Sequence, residues 1–480
     1  MLFNSFRFLA FLPVVLAGYW WVFRGRTARL AFLLLASYVF YMSWNPKLIS
    51  LLILSTLIDY FAVVAMGKTD NPRVRRGLLG LSLVFNLGML ALFKYTNFFL
   101  QDAIGPALHV LGWSGRLPHY DIILPLGISF YTFETLSYVI DCYYRKTEPF
   151  SSLLDYAFFI SFFPHLIAGP IIRPRQFLPQ IQKLRDLVDG DVTIGFGYFL
   201  LGLIKKAVVA DRLSVYVDAL FAAPAGHGRW ELWAAVLAYA AQIYCDFSGY
   251  TDMAIGVARL FGFRLPVNFR TPYLSRNVAE FWRRWHISLS SWLRDYLYIP
   301  LRGLADGEKS VYTALFATMF LGGLWHGANW TFVAWGAYHG LLLMAHRLVN
   351  RWRFWKPAAE LAPSVAREIV SRAFVFLLVC VGWTLFRAPT IATAASMLGR
   401  MLLLSPSGPS AAVPPHVLAL IALVFVYDAI AYAGESRGAD FEGRIAALPA
   451  PLRTAVFAAG LFVLITFIPT ASRPFIYFQF

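Results

Sequence analysis

Charge is what this sequence has least of. Only 14% of its 480 residues are Asp, Glu, Lys or Arg, against about 25% in soluble domains. A soluble globular fold is thereby excluded, because 59% of the chain is drawn from AVILMFWYC and a mean hydropathy of +0.60 leaves the apolar excess without a counterweight. Acid is scarcer than base, 26 residues against 42, for a net +16. The basic residues punctuate apolar blocks instead of forming one patch, so nucleic acid is not a partner. Cysteine is nearly missing: Cys142, Cys245 and Cys380 stand far apart, which excludes a disulfide framework and a zinc site and predicts three core residues. Also absent are a G-x-S-x-G elbow, an H-E-x-x-H metal motif, a P-loop and any internal repeat, so no metal is expected.

What is present is a series of apolar blocks near residues 6–23, 28–44, 48–66, 78–100, 122–141, 193–213, 230–258, 311–328, 330–349, 370–388, 414–434 and 454–470. Each is long enough to span a bilayer. Continuous blocks point to helices rather than the alternating strands of a barrel. The predicted fold is an all-α polytopic transmembrane helical bundle of about 11–13 spans, read as one membrane-embedded domain over residues 1–480. The N-terminal block is read as a retained span, not a signal peptide, since equally apolar blocks follow it.

Juxtamembrane Lys and Arg set orientation. Arg24, Arg26 and Arg29 occupy the first connection, Lys47 alone the second, Lys68, Arg73, Arg75 and Arg76 the third and Arg116 alone the fourth. Odd connections are therefore cytoplasmic and the N-terminus extracytoplasmic; Arg145 and Lys146 agree. The next segment, FFISFFPHLIAGPIIRPRQFLPQIQKLR, is too short and too broken by Pro164, Gly169 and Pro170 to span, and it returns Arg173, Arg175, Lys183 and Arg185 to the same face. It reads as re-entrant, and a cytoplasm-facing cavity is expected beside residues 160–175 because irregular backbone at that depth must be buried in protein or line a cavity.

Residues 259–302 carry eight arginines, which places them on the cytoplasmic side. On a helical wheel, VAEFWRRWHISLSSWLRDYLY puts Trp282, Trp285, Leu289 and Trp292 on one arc and Glu280, Arg283, Arg284 and Arg294 on the other, predicting one interfacial amphipathic helix with Glu280 and Arg284 as a surface pair. His286 sits at the margin of the apolar arc.

His326, in MFLGGLWHGANWTFVAWG, is the sharpest candidate for chemistry. It ends one apolar block just before the next, and an ionisable group at membrane depth is a functional-site candidate, though a neutral imidazole also serves as a hydrogen-bond partner between helices. Gly322, Gly323 and Gly327 allow close ligand approach or simply close helix packing. With no internal nucleophile beside it, a membrane histidine can still take the proton of a substrate hydroxyl that attacks an activated acyl group. Asp59, Lys94, Glu134, Asp211 and Asp428 read singly as helix-to-helix hydrogen-bond partners, while Asp246, Ser248, Tyr250 and Asp252 form a cluster less easily assigned to structure. His339 and His346 read as packing or interfacial residues, and His165 is left open.

LPLGISFYTFETLSYVIDCYY, FPHLIAGPIIRPRQF, YCDFSGYTDMAIGVARLFGF, NFRTPYLSRNVAEFWRRWHISLSSWLRDYLYIPLRG, LGGLWHGANWTFVAWGAYHG and the C-terminal RPFIYFQF together resemble the membrane-bound O-acyltransferase superfamily, most of all its alginate-acetylating bacterial branch. The resemblance is densest over residues 120–345. It implies a central reaction chamber in which His326 is catalytic and His286 its partner. It also implies no bound cofactor, acetyl-CoA as the cytoplasmic acyl donor, a location in the bacterial inner membrane, and a periplasmic acyl-handling protein and an exported polysaccharide as partners beyond membrane lipid. Trp325, Trp282, Asp246, Tyr250 and Asn329 are then expected near substrate, with Asn329 either orienting the imidazole or capping the next helix. Arg283 and Arg284 would either attract the donor's phosphates or anchor the cytoplasmic face. D-alanyl transfer to teichoic acid and peptidoglycan O-acetylation are alternatives within the superfamily, and a transporter or flippase is one outside it. The last would show paired broken helices in two matching halves, and the sequence offers only one such segment.

Overall fold

The computed structural model describes residues 1–351, 364–402, 411–438, 440–468 and 473–476, and every regular element among them is helical. Each of the twelve apolar blocks coincides over most of its length with a helical run; residues 469 and 470 of the last fall outside the described residues. Six runs are long and apolar enough to cross a membrane: Pro46–Gly67, Pro72–Val110, Asp189–Ala222, Val365–Arg387, Pro415–Ser436 and Ala450–Phe467. The protein is a multi-pass membrane protein. Boundaries move where the chain turns sharply. The block expected from residue 122 becomes helical only at Ile128, because Gly127 is left-handed (φ 73°) and so close to the Leu166 carbonyl that a Cβ would stand 2.4 Å from it.

The chain divides into two compact units, Met1–Gly202 with Tyr250–Pro266, and Leu203–Gly249 with Val267–Phe480. In the first, α1 (Phe6–Ala17), α2 (Arg26–Met42), α3 (Ile49–Gly67), α4 (Pro72–Asn97), α5 (Ile128–Tyr143) and α6 (Leu153–Ser161) form the bundle, with α3, α4 and α5 packed on one another and α2 on α6. Polar residues join these helices as the sequence led one to expect. Buried Asp59 of α3 accepts from Ser82 (2.5 Å) and from Asn86 (2.9 and 3.0 Å) of α4.

The segment expected to be re-entrant continues from α6 through a single turn, Phe163–Leu166, into irregular backbone. The segment expected to border a cavity is itself packed in protein. Phe162, Phe163, His165 and Leu166 have no exposed surface, and Phe177 and Phe263 pack on Phe162. Of the two environments that tolerate irregular backbone in a membrane, the chain uses burial in protein. Glu134 of α5 accepts from the Ile172 N–H (3.1 Å) and approaches His165 Nδ1 at 3.2 Å, satisfying groups the broken helix leaves open.

In the second unit, Lys205 and Lys206 lie in the run Asp189–Ala222, which is built from α7 (Asp189–Leu203, of the first unit but for Leu203), a π-helical stretch and α8 (Asp211–Ala222). It is followed by α9 (Arg229–Leu260), whose last turns belong to the first unit, then α10 (Val278–Arg284), α11 (Ile287–Leu293), α12 (Glu308–His326), α13 (Trp330–Arg351), α14 (Val365–Arg387), α15 (Pro415–Ser436) and α16 (Ala450–Phe467). The antiparallel pair α12–α13 is the tightest contact, and glycine makes it possible: a Cβ on Gly323 would stand 2.4 Å from the Phe332 carbonyl, and one on Gly336 2.5 Å from that of Met319. Here the glycines serve helix packing, not ligand approach.

The expected amphipathic helix of residues 278–298 is broken in two. His286 adopts a left-handed conformation (φ 43°) between α10 and α11, a backbone state that costs a non-glycine residue about 1–3 kcal/mol unless its surroundings enforce it. Asn268 enforces it: its carbonyl accepts from Ile287 N–H (2.9 Å) and its side-chain oxygen from Ser288 N–H (3.0 Å). Nor is Glu280 half of a surface pair. It is buried, accepting from the Arg276 N–H (2.9 Å), the Arg276 guanidinium (3.3 Å) and Arg284 Nε (3.0 Å). Burial alone would raise its pKa, but these donors hold the carboxyl below its ordinary range.

Candidate active site

His326 is the last residue of α12 and is buried. The helix stops there because Gly327 is extended and Asn329 starts α13, its side-chain oxygen accepting from Thr331 N–H (2.9 Å) while its amide donates to the Pro389 carbonyl (3.2 Å). Of the two roles open to Asn329, the structure places it in the capping one. The His326 ring is held by aromatic faces and edges, its centroid 5.0 Å from Trp325, 5.0 Å from Trp335 and 5.2 Å from Phe386. Trp335 comes from α13 and Phe386 from α14, so three helices set the imidazole's position.

His286 has no exposed surface. Its ring meets Phe247 of α9 edge-on at 4.6 Å and lies 6.4 Å from Trp325, which thus neighbours both candidate histidines. Burial pushes the His286 imidazole down to about 3, so it is neutral at physiological pH. Trp282 stands one layer further, 5.6 Å from Trp335 and 5.1 Å from His339. His339 is a packing residue as read from the sequence, with Gly382 so near that a Cβ there would lie 2.6 Å from Nε2.

The expected site is therefore assembled in part. His326, His286, Trp325 and Trp282 share one aromatic neighbourhood in the second unit. Asp246 is engaged elsewhere in that unit: one oxygen pairs with Lys206 Nζ (2.5 Å) and the other accepts from the Ile476 N–H (2.7 Å). Tyr250 belongs to the first unit and stacks on Phe3 at 4.8 Å. Arg284 is committed to Glu280, Glu435 (3.2 Å) and the Tyr432 ring, whereas Arg283 is exposed. A groove of about 490 Å³ lies beside α10, α12 and α13, lined by Ala279, Tyr298, Leu343, His346 and Arg347 among others, with Arg347 and Arg351 held at 3.4 and 3.2 Å by Glu308. Sequence reading missed Phe247, Trp335, Trp383 and Phe386. The signal was present in their spacing, Trp335 with His339 at i,i+4 and Trp383 with Phe386 at i,i+3, but any core helix carries such pairs.

An imidazole fixed at the end of a membrane helix by three aromatic rings can take up and return a proton without moving. The chain is a membrane O-acyltransferase: residues 144–388 match the model of the membrane-bound O-acyltransferase family, to which it belongs. Among its relatives, the probable alginate O-acetylase AlgI of Pseudomonas putida is 43% identical over 405 residues, covering 83% of this chain and 79% of the other. The peptidoglycan O-acetyltransferase of Helicobacter pylori is 36% identical over 437 residues, 84% of this chain and 80% of the other. The teichoic acid D-alanyltransferase of Bacillus subtilis is 28% identical over 281 residues, 56% and 70% of the two chains.

Proposed function

We propose that this enzyme moves an acetyl group from acetyl-CoA at the cytoplasmic face of the bacterial inner membrane toward hydroxyls of an exported polysaccharide of the alginate type, with a periplasmic acyl-handling protein completing the transfer. The observation that carries the acyl-transfer step is the buried, aromatically clasped His326 beside Trp325 and His286. Identity of 43% to an alginate O-acetylase, against 36% and 28% for the peptidoglycan and teichoic acid enzymes, favours the polysaccharide.

In this mechanism His326 removes the acceptor hydroxyl's proton as that oxygen attacks the thioester carbonyl. The carbon–sulfur bond then breaks, the new ester leaves, and the proton on His326 passes to the departing thiolate. A neutral His286 acts as a hydrogen-bond partner that orients the donor or the developing oxyanion, not as a cation. The groove beside His346 and Arg347 supplies cationic groups for the donor's phosphates, with exposed Arg283 contributing to steering. Along α13, Trp335 to Arg347 spans about 18 Å at about 1.5 Å per residue, a reach that suits a pantetheine arm. The test is reconstitution in proteoliposomes with labelled acetyl-CoA on the side bearing Arg347. His326-dependent label in an oligosaccharide acceptor or in released thiol supports the reading; consumption of neither acetyl-CoA nor a charged carrier protein defeats it.

A further inference from the structure

The Asp246 cluster does something other than bind substrate. Within the second unit Lys206 lies between Asp211 (2.8 Å) and Asp246 (2.5 Å), and Asp218 lies between Arg387 (2.5 Å) and Arg473. The carboxylates and cations balance, and Lys206, Asp211 and Asp246 among them are buried. The cluster leaves about 20 Å³, room for one water. Segment 473–476 is laid across it: Arg473 pairs with Asp218, the Pro474 carbonyl accepts from Lys206 Nζ (3.5 Å) and the Ile476 N–H donates to Asp246 (2.7 Å). The preceding helix α16 has no buried residue, so its own burial does not fix the segment, whereas Phe475 and Ile476 are buried.

Two successive residues of this strap meet two successive residues of α9. Ile476 takes Asp246, and Phe475 packs on Phe247 with centroids 5.7 Å apart. Phe247 is the ring that meets His286 edge-on at 4.6 Å. We infer that Arg473–Ile476 is a positioning strap for the reaction centre: the ion cluster docks it, and Phe475, through Phe247, holds the His286 ring in place. His286 thus has two supports, Asn268 on its backbone and the strap on its ring. The inference rests on the proposed role of His286, and Asp246, Lys206 and Phe475 act through other residues without touching substrate.

The experiment is a double-mutant cycle on the full-length protein in proteoliposomes, with thermal midpoint and abundance recorded for every variant. Phe475→Ala should lower kcat per folded protein roughly ten- to a hundredfold with donor KM unchanged, as small misplacement of a site group does. Phe475→Leu, which keeps apolar bulk, should recover most of it, and Asp246→Asn should fall between them. In a His286→Asn background Phe475→Ala should add no further loss. An equal fold-loss in both backgrounds overturns the strap, as does a loss that merely follows the folded fraction. If His286→Asn itself leaves kcat unchanged, the reading of His286 fails instead.

Discussion

The two units each bury a histidine, and they treat it differently. In the first, His165 lies 3.2 Å from Glu134, which is itself tied to the Ile172 N–H, so the imidazole closes a polar network that repairs a broken helix. In the second, aromatic rings surround His326 and His286: Trp325, Trp335, Phe386 and Phe247. The Glu134 carboxylate gives the His165 ring its place beside the broken helix. In the second unit ring faces and edges give His326 and His286 an equally defined place. Burial of an ionisable group in a membrane protein therefore does not by itself distinguish structure from function; the neighbours differ, a carboxylate at His165 and tryptophans beside His326.

Substitutions can break that comparison. The largest effect belongs to His326→Ala, which should lower acyl transfer by about 10²- to 10⁴-fold at normal abundance, measured as labelled thioester consumption per folded protein. In the first unit the same experiment should move abundance instead. Asp59→Ala, which strips Ser82 and Asn86 of their acceptor, should cost about 1–3 kcal/mol in unfolding free energy with turnover per folded molecule intact. Glu134→Gln should likewise keep kcat, and a Glu134→Gln protein of normal abundance but without activity would erase the distinction between the units. Gly323→Val, forced against the Phe332 carbonyl, should cost about 1–3 kcal/mol through overpacking, read as a lower thermal midpoint.

The smallest effect is one of pH. Because the folded-state pKa of His286 lies near 3, below its ordinary 6.5, the folded protein binds fewer protons there than the unfolded chain. Its contribution to stability is whole above pH 6.5 and is lost as pH falls from 6.5 toward 3. The thermal midpoint of the wild type should therefore drop more steeply across that window than that of His286→Asn; parallel curves would mean the ring is charged in the fold.

The helical blocks were legible because lipid admits few structures and continuous apolar runs leave little choice. His326 stood out for the same reason, as a polar exception, and the structure places it buried at the end of α12. What the sequence hid depended on partners remote along the chain. The break at His286 is written in Asn268, eighteen positions earlier, and its helical periodicity over residues 278–298 gives no sign of it. The commitment of Asp246 is written in Lys206 and Ile476, and the burial of the re-entrant segment in Phe177 and Phe263. Local pattern reports what a helix would bury; it does not report what arrives to meet it.

The placement of Lys206 also bears on how the protein is made. Asp189–Ala222 reaches the membrane carrying a lysine whose second carboxylate, Asp246, belongs to the next long helix, and whose docked strap is synthesised hundreds of residues later. The segment is therefore not at home in lipid by itself. It settles in stages, first against Asp211 within the same run, then as a pair with α9, and finally when the chain's last described residues close over it. The order of synthesis becomes the order in which charge is neutralised, so the Lys206 cluster is completed only after Arg473–Ile476 has been made.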